Sequence, residues 1–120
     1  MKVAVVGSRG ITNKELIFNT LARYNISCIV SGGAVGVDKI GEEYANFINI
    51  GTEIYLPDWK KYGRSAGFVR NKDIIKNSQM TVAFWDGKSK GTLNSIEYSK
   101  KLKHPTVVWI IQGDTIYKED

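Results

Sequence analysis

The amino-acid sequence predicts an α/β fold: a doubly wound parallel sheet of about five strands with helices on both faces. Short β-branched runs alternate with segments of helical periodicity along the whole chain. Polar loops that contain glycine follow the strands at one edge, whereas the connections at the other edge are plain turns. Right-handed strand–helix–strand units in one sheet satisfy this alternation most simply. A chain of 120 residues predicts a single domain over 1–120.

The individual elements follow from local patterns. The first strand, "KVAVVG", is apolar on both faces, as expected of a buried parallel strand. Asn13 is expected to cap the first helix and Thr92 the last. The segment "DTIYKED" at 114–120 predicts either a further edge strand or disorder. The predicted strands are 2–7, 27–32, 52–57, 80–86 and 106–111, and the predicted helices are 13–24, 36–49, 66–77 and 92–101.

The net charge of +5 is unevenly placed. Residues 1–60 hold six Lys or Arg against six Asp or Glu, and residues 61–120 hold eleven against six. The whole excess therefore lies in the second half. It predicts an anionic partner, either a phosphorylated small molecule or nucleic acid.

Cysteine and histidine usage limits other classes of site. Cys28 is the only cysteine and His104 the only histidine, so the sequence predicts neither an internal disulfide nor a Cys/His metal site. A single free cysteine fits a reducing compartment, and we expect a cytoplasmic location. No apolar run approaches the roughly 20 residues of a membrane helix, so no membrane partner is expected.

Polar residues concentrate in the loops that follow four predicted strands, at 7–12, 31–38, 57–67 and 85–92. In open parallel sheets, ligands bind at the carboxyl ends of the strands, near the point where the strand order reverses. These loops are therefore expected to share one site.

The loop "SGGAVGVD" at 31–38 leads from a strand into a helix. Its glycines permit close backbone approach, and a helix N-terminus favours an anion, so phosphate is the expected ligand group. The spacing matches neither the dinucleotide fingerprint nor a P-loop. Asp38, in the first helical turn, has two open interpretations: contact with a ribose hydroxyl, or helix capping.

The other loops supply cations and polar groups. Arg9 could clamp a phosphate or carboxylate, or be a surface arginine in a tight turn. Asn71 could bind a base or sugar, or cross-link loops. Aromatic residues near these loops could stack on a base or pack in the core. The candidate ligand-binding residues are Gly7, Ser8, Arg9, Ser31, Gly32, Gly33, Gly36, Asp38, Arg64, Arg70, Asn71, Asp86, Gly91 and Thr92.

The motifs "GSRG", "SGGAVGVD" and "YGRSAGFVRN", in this order, resemble the SLOG superfamily, and within it the small YspA-like proteins. The resemblance covers about residues 2–110. Relatives include the "lonely guy" phosphoribohydrolases and the DNA-processing protein DprA. The resemblance implies a Rossmann-like sheet with a pocket for a nucleotide or a nucleotide-derived sugar.

The hydrolase activity of the "lonely guy" enzymes is less well supported by this sequence. Their loop P-G-G-x-G-T-x-x-E carries a glutamate that serves glycosidic cleavage together with an arginine. Gly91 and Thr92 match this loop, and Arg70 matches the arginine, but Ser95 stands where the glutamate is expected. Glu97 lies about 200° further around the helix and should not replace it.

The sequence therefore predicts binding of a nucleotide or ADP-ribose-like ligand by a sensor, carrier or sequestering protein, with no other cofactor. An enzymatic alternative is a nucleotide N-glycosidase or phosphoribohydrolase, with Arg70, Asp38 and Asp86 as candidate catalytic residues. A third alternative is DprA-like nucleic-acid binding. A homo-oligomer is also expected, because the helices are rich in Phe, Tyr and Ile.

Overall fold

The fold was analysed in a computed structural model, which describes residues 1–119. The six strands are β1 (Lys2–Gly7), β2 (Cys28–Ser31), β3 (Gly51–Ile54), β4 (Met80–Trp85), β5 (Thr106–Gln112) and β6 (Thr115–Glu119). The five α-helices are α1 (Lys14–Leu21), α2 (Val37–Phe47), α3 (Trp59–Tyr62), α4 (Ala66–Lys76) and α5 (Lys90–Lys101). A single 3-10 turn, Gly63–Ser65, joins α3 to α4.

All strands belong to one sheet of order β3-β2-β1-β4-β5-β6. The first five strands pair in parallel, and β6 pairs with β5 in antiparallel register across a tight turn. The strand order reverses between β1 and β4, which places the crevice expected of a doubly wound sheet between their carboxyl ends. The predicted Rossmann-like α/β architecture is confirmed.

Alternate residues of the central strands face opposite sides of the sheet, as the period of a strand requires. Val3 and Val5 of β1 point to the side covered by α1 and α2. Ala4 and Val6 of the same strand point to the side covered by α4 and α5. Each face of the sheet therefore has its own apolar core. The helices packed on these faces fix the positions of the loops that connect the helices to the strand ends.

Three details differ from the sequence-based expectations. The sheet has six strands because "TIYKE" adds the edge strand that the sequence left open. The segment expected to be a loop forms α3, whose N-cap Asp58 accepts a hydrogen bond from Lys61 N at 3.1 Å. The helices α1 and α2 end two or three residues early, and Asn49 adopts a left-handed φ of 60° after α2, a conformation that asparagine tolerates.

The face between α1 and α2 is open in part. Phe47 is 75% exposed, and its ring lies tilted beside that of Phe18, at 5.6 Å between ring centroids. Apolar side chains there line a shallow groove. The expected homo-oligomer stays a prediction. Within residues 1–119, every helix is too short or too polar to cross a bilayer.

Gly36 is required by the packing of two site loops. It has a φ of 80°, and a Cβ atom on it would overlap the carbonyl oxygen of Arg9 and lie 2.7 Å from that of Ser8. The loop after β1 and the start of α2 therefore approach each other at a distance that only glycine permits.

We expect Gly36→Ala to lower the free energy of unfolding by about 1–3 kcal/mol, because it adds both backbone strain and overpacking. Gly67→Ala is the matched control, since no atom lies within 4 Å of its added methyl group and its backbone is helical. Denaturant unfolding of both variants measures the difference. A Gly36→Ala protein as stable as Gly67→Ala would contradict this account of the loop contact.

Candidate functional site

A cavity of about 500 Å³ lies at the reversal point between β1 and β4. Its volume falls within the range of about 300–1,000 Å³ typical of small-ligand sites. Its walls come from the loops after β1, β2 and β4 and from the segment that contains α3 and the start of α4. It is lined by Val6, Gly7, Ser8, Arg9, Gly10, Ala34, Asp38, Trp59, Arg64, Gly67, Phe68, Arg70, Asn71, Ile74, Asp86, Ser89, Gly91, Thr92 and Ser95.

Ten of the fourteen candidate residues line this cavity: Gly7, Ser8, Arg9, Asp38, Arg64, Arg70, Asn71, Asp86, Gly91 and Thr92. The other four, Ser31, Gly32, Gly33 and Gly36, belong to "SGGAVGVD" and lie behind its surface. Each of the four contacts protein groups instead. The loop thus contributes to the cavity through Ala34 and Asp38.

The glycines of this loop make room for other protein groups. A Cβ atom on Gly32 would lie 2.6 Å from Arg70 Nη1 and 2.8 Å from Asp38 Oδ2, so both charged groups converge on the same point. Gly33 has a φ of 71° and faces Ile54 and Leu56. Ser31 Oγ lies 3.2 Å from Glu42 Oε2 and 3.3 Å from the carbonyl oxygen of Asp38, and its one proton can be donated to either acceptor. These contacts shape the start of α2.

Asp86 organises the loop after β4. Its Oδ1 accepts hydrogen bonds from the backbone N–H groups of Lys88 and Ser89, each at 2.8 Å. Burial opposes ionisation of Asp86, but these two bonds outweigh that effect and lower its pKa. Asp86 N donates to Ser8 Oγ at 3.2 Å, which joins this loop to the one after β1.

The N-cap of α5 is Ser89, in the same turn, and not Thr92 as expected from the sequence. Because Asp86 holds Ser89 in place, α5 begins at Lys90, and Ser89 Oγ accepts from Thr92 N at 3.4 Å. Thr92 is therefore a buried residue of the first helical turn, and its hydroxyl donates to Ser89 Oγ. The serine three residues before Thr92 in "SKGT" has the spacing of a cap, and the sequence reasoning overlooked it.

Arg70 spans the carboxyl edge of the sheet from α4. Its Nη1 donates to the carbonyl of Gly32 at 2.7 Å and to that of Tyr55 at 3.5 Å, and its Nε donates to Asn71 Oδ1 at 3.0 Å. Asn71 Nδ2 in turn donates to the carbonyl of Gly91. Asn71 therefore links α4 to the first turn of α5, and its contact with a base or sugar stays a prediction.

The pKa of Arg70 is lowered, first because the guanidinium is half-buried and also because Arg9 lies near it. Asp38 acts in the opposite direction. The ion pairs shorter than 4.0 Å within residues 1–119 involve Lys2, Lys14 and Lys39. The arginines of the cavity thus have no carboxylate in direct contact.

Asp38 is a buried carboxyl at the cavity wall, with 8% of its surface exposed. Its Oδ2 accepts a hydrogen bond from Ala34 N at 3.3 Å. Burial raises its pKa to about 6, although this bond and the charge of Arg70 act in the opposite direction. Near neutral pH the cavity therefore holds a carboxylate that gains or loses its proton within a physiological range.

Several further cavity residues had no assigned role in the sequence, among them Ala34 and Gly67. Ala34 offers its N–H to Asp38, and Gly67 lies in the first turn of α4 with open space beside it. Their small size is their only sequence signal. Ser95 lines the cavity and is 2% exposed, whereas Glu97 is exposed and lies outside it, as the angle around α5 predicted.

The sequence matches the model of a known protein family. The sequence model described as the YspA, cpYpsA-related SLOG family matches residues 1–62, which include β1, β2, β3 and the loops after them. The chain belongs to this family. The family resemblance of the motifs is thereby confirmed.

The individual relatives share low sequence identity with this chain. Gene 61 protein of Mycobacterium phage D29 is 27% identical over 118 residues, which cover 88% of this chain and 94% of the phage protein. DNA processing protein A of Helicobacter pylori, whose structure was described for its single-stranded DNA binding mode, has a TM-score of 0.72 and 23% identity. That alignment covers 95% of this chain and 67% of the other.

DprA of Streptococcus pneumoniae has a TM-score of 0.71 and 18% identity, over 89% of this chain and 49% of the other. This chain thus spans about half the length of the pneumococcal protein. At such low identity both likenesses concern the fold.

The titration of Asp38 generates a prediction about stability. A folded-state pKa of about 6 lies above the ordinary value of 3.8, so the folded protein binds the proton more tightly than the unfolded chain. Stability is then highest below about pH 4 for this group and is lost as the pH rises through 6.

We expect Asp38→Asn to flatten the pH dependence of unfolding between pH 4 and 7. It should also raise the free energy of unfolding at pH 8 by roughly 1–3 kcal/mol, because no buried charge forms and the amide oxygen can still accept from Ala34 N. Denaturant unfolding at several pH values measures this. Asp58→Asn is the exposed control, and a parallel pH profile of Asp38→Asn and the parent protein would disprove the assignment.

Proposed function

We propose that this protein binds a phosphorylated nucleotide or an ADP-ribose-like molecule in the cavity between β1 and β4, and holds it without cleaving it. The observation that carries the proposal is the convergence of three arginines, Arg9, Arg64 and Arg70, on one cavity of nucleotide-compatible volume. Cations gathered in a partly enclosed site repel one another, and a phosphate removes that cost.

The three arginines differ in how far contacts with the protein hold their side chains in place. Arg70 already uses Nε and Nη1 in contacts with protein groups and has its remaining nitrogen, Nη2, for a ligand. Arg9 and Arg64 are exposed at the cavity wall and are free to reorient around a phosphate. A rigid cation with two mobile ones suits a ligand whose phosphate enters from solvent.

Other groups of the cavity suit the rest of a nucleotide. Asp38 can accept a hydrogen bond from a sugar hydroxyl, since only one of its oxygens bonds to Ala34. Trp59 and Phe68 are 58% and 46% exposed at the cavity wall and offer faces on which a base can stack. The arginine cations, the acceptor oxygen of Asp38 and the aromatic side chains together support a nucleotide as the ligand.

Retention without cleavage is supported by the carboxylates. Glycosidic hydrolysis passes through an oxocarbenium-like state that a carboxylate stabilises, and Ser95 offers a hydroxyl at the matching position. Asp86 is engaged by two backbone N–H groups. Asp38 is the remaining candidate for an N-glycosidase. That enzymatic alternative predicts slow release of free base, lost in Asp38→Asn.

Nucleic-acid binding is a second candidate. The Helicobacter pylori neighbour was described for its single-stranded DNA binding mode, and the positive charge of this chain lies in its second half, which supplies Arg64 and Arg70. A nucleotide in the cavity and a strand that continues beyond it are compatible.

Binding of AMP and adenosine, measured by titration calorimetry, tests the phosphate contact. We expect AMP to bind more tightly than adenosine, and Arg64→Ala to weaken AMP binding by about 1–3 kcal/mol while leaving adenosine binding nearly unchanged. The expected loss reflects one charge-assisted hydrogen bond with partial exposure to solvent.

Arg23→Ala is the matched control, because Arg23 is an exposed arginine that stacks on Trp109, away from the cavity. It removes the same charge and should leave AMP affinity unchanged. Equal binding of AMP and adenosine, or equal losses in both variants, would refute a phosphate site at these arginines. Mass spectrometry of small molecules released from the denatured protein identifies the bound class.

A further inference from the structure

The segment from α3 to the first turn of α4 carries large side chains that the fold leaves uncovered. Residues 58–65 are all exposed, although they include Trp59 and Tyr62. Phe68 is also 46% exposed. We define the aromatic–basic ledge as Trp59, Lys60, Lys61, Tyr62, Arg64 and Phe68.

The cations of the ledge are not used by the fold. The ion pairs shorter than 4.0 Å within residues 1–119 do not include Lys60, Lys61 or Arg64. The one acidic residue beside them, Asp58, accepts a hydrogen bond from Lys61 N as the cap of α3. The Lys61 ammonium lies 5.1 Å from the Tyr62 ring centroid, so a cation and an aromatic face are presented together.

The ledge is continuous with the cavity. Trp59, Arg64 and Phe68 line the cavity, and Lys60, Lys61 and Tyr62 are exposed residues between Trp59 and Arg64 in the chain that do not line it. A mononucleotide in the cavity can reach only the inner three. The outer three would have no role in binding such a ligand.

We propose that the ledge binds the nucleotide next to the one in the cavity, so that the natural ligand is the phosphorylated end of a single-stranded nucleic acid. This inference rests on the proposed nucleotide site. The base of the second nucleotide stacks on Tyr62, and the phosphate that joins the two nucleotides lies near Lys60 and Lys61. Aromatic faces that alternate with cations are the usual means of binding a single strand without sequence preference.

The chemistry of the ledge selects this occupant over two others. A duplex keeps its bases stacked within the helix, so it could use the lysines but not Tyr62. An apolar protein partner would have to desolvate three cations, of which Lys61 contacts the Tyr62 ring, and this is costly without matching acids. A single strand matches both features.

The experiment compares 5′-phosphorylated oligoadenylates of one, two and four nucleotides, in ribo and deoxyribo forms, by calorimetry at one salt concentration. We expect the dinucleotide to bind about 5- to 150-fold more tightly than AMP, which corresponds to one stacked base. The ribo and deoxyribo series distinguish an RNA end from a DNA end. A 5′-phosphorylated duplex long enough to remain paired at the assay temperature should bind no better than AMP.

Tyr62→Ala is the diagnostic variant, since Tyr62 is an exposed residue outside the cavity wall. It should abolish the gain from one to two nucleotides and leave AMP binding unchanged. Tyr117→Ala is the control, because Tyr117 is 50% exposed on β6, the strand at the opposite edge of the sheet from β3. It should keep the full gain.

The outcomes separate the two proposals. Equal affinity for AMP and the dinucleotide overturns the ledge and leaves the cavity as a mononucleotide site. A gain that survives in Tyr62→Ala, or equal binding of duplex and single strand, also overturns the ledge. Binding of the longer strands without any binding of AMP, and unaffected by Arg64→Ala, overturns the cavity site. No binding of any member of the series overturns both.

Discussion

The guanidinium of Arg70 is the contact on which the geometry of the carboxyl edge depends. It reaches from α4, on one face of the sheet, to the carbonyl of Gly32 at the end of β2, and through Asn71 to the start of α5. In a parallel sheet, no tight turn joins the carboxyl ends of neighbouring strands. The loops that follow these strands are therefore held together by contacts with a shared side chain. One side chain with several donors in a fixed plane provides it. The glycine at 32 is necessary because any side chain there would occupy the space of the guanidinium.

Burial of the Asp38 carboxyl at this edge is energetically unfavourable, and the fold does not require it. Asp38 is buried beside the cavity, and burial raises its pKa to about 6 instead of being offset by a direct ion pair. A structural carboxylate would be expected to have its charge compensated or to remain exposed. Arg70 is also half-buried and near Arg9, and both features lower its pKa. Ionisable groups that face one cavity and have displaced pKa values are typical of a binding site.

The sequence predicted the elements whose signals are local. The burial of β1 on both faces and the cap at Asn13 were both expected, and Asn13 Oδ1 accepts from Leu16 N. The helix α3 was missed because four residues with no buried face leave no periodic pattern. Ser89 was missed as a cap although it has the spacing of one, and the structure adds the contact with Asp86 that holds it in place. The roles of the glycines at 32 and 36 depend on Arg70 and Arg9, distant in sequence, so no local motif could distinguish a ligand from a protein neighbour.

The similarity to the DNA processing proteins concerns the fold, and the chemistry must be argued from the cavity of this chain. Cleavage of a glycosidic bond needs a charge near the sugar at the moment the bond breaks. Ser95 supplies none, Asp86 has its Oδ1 committed to two backbone N–H groups, and Asp38 is protonated over part of the physiological pH range. Three arginine side chains, in contrast, line the same cavity. This combination supports the proposed retention of a phosphate over attack on the sugar attached to it.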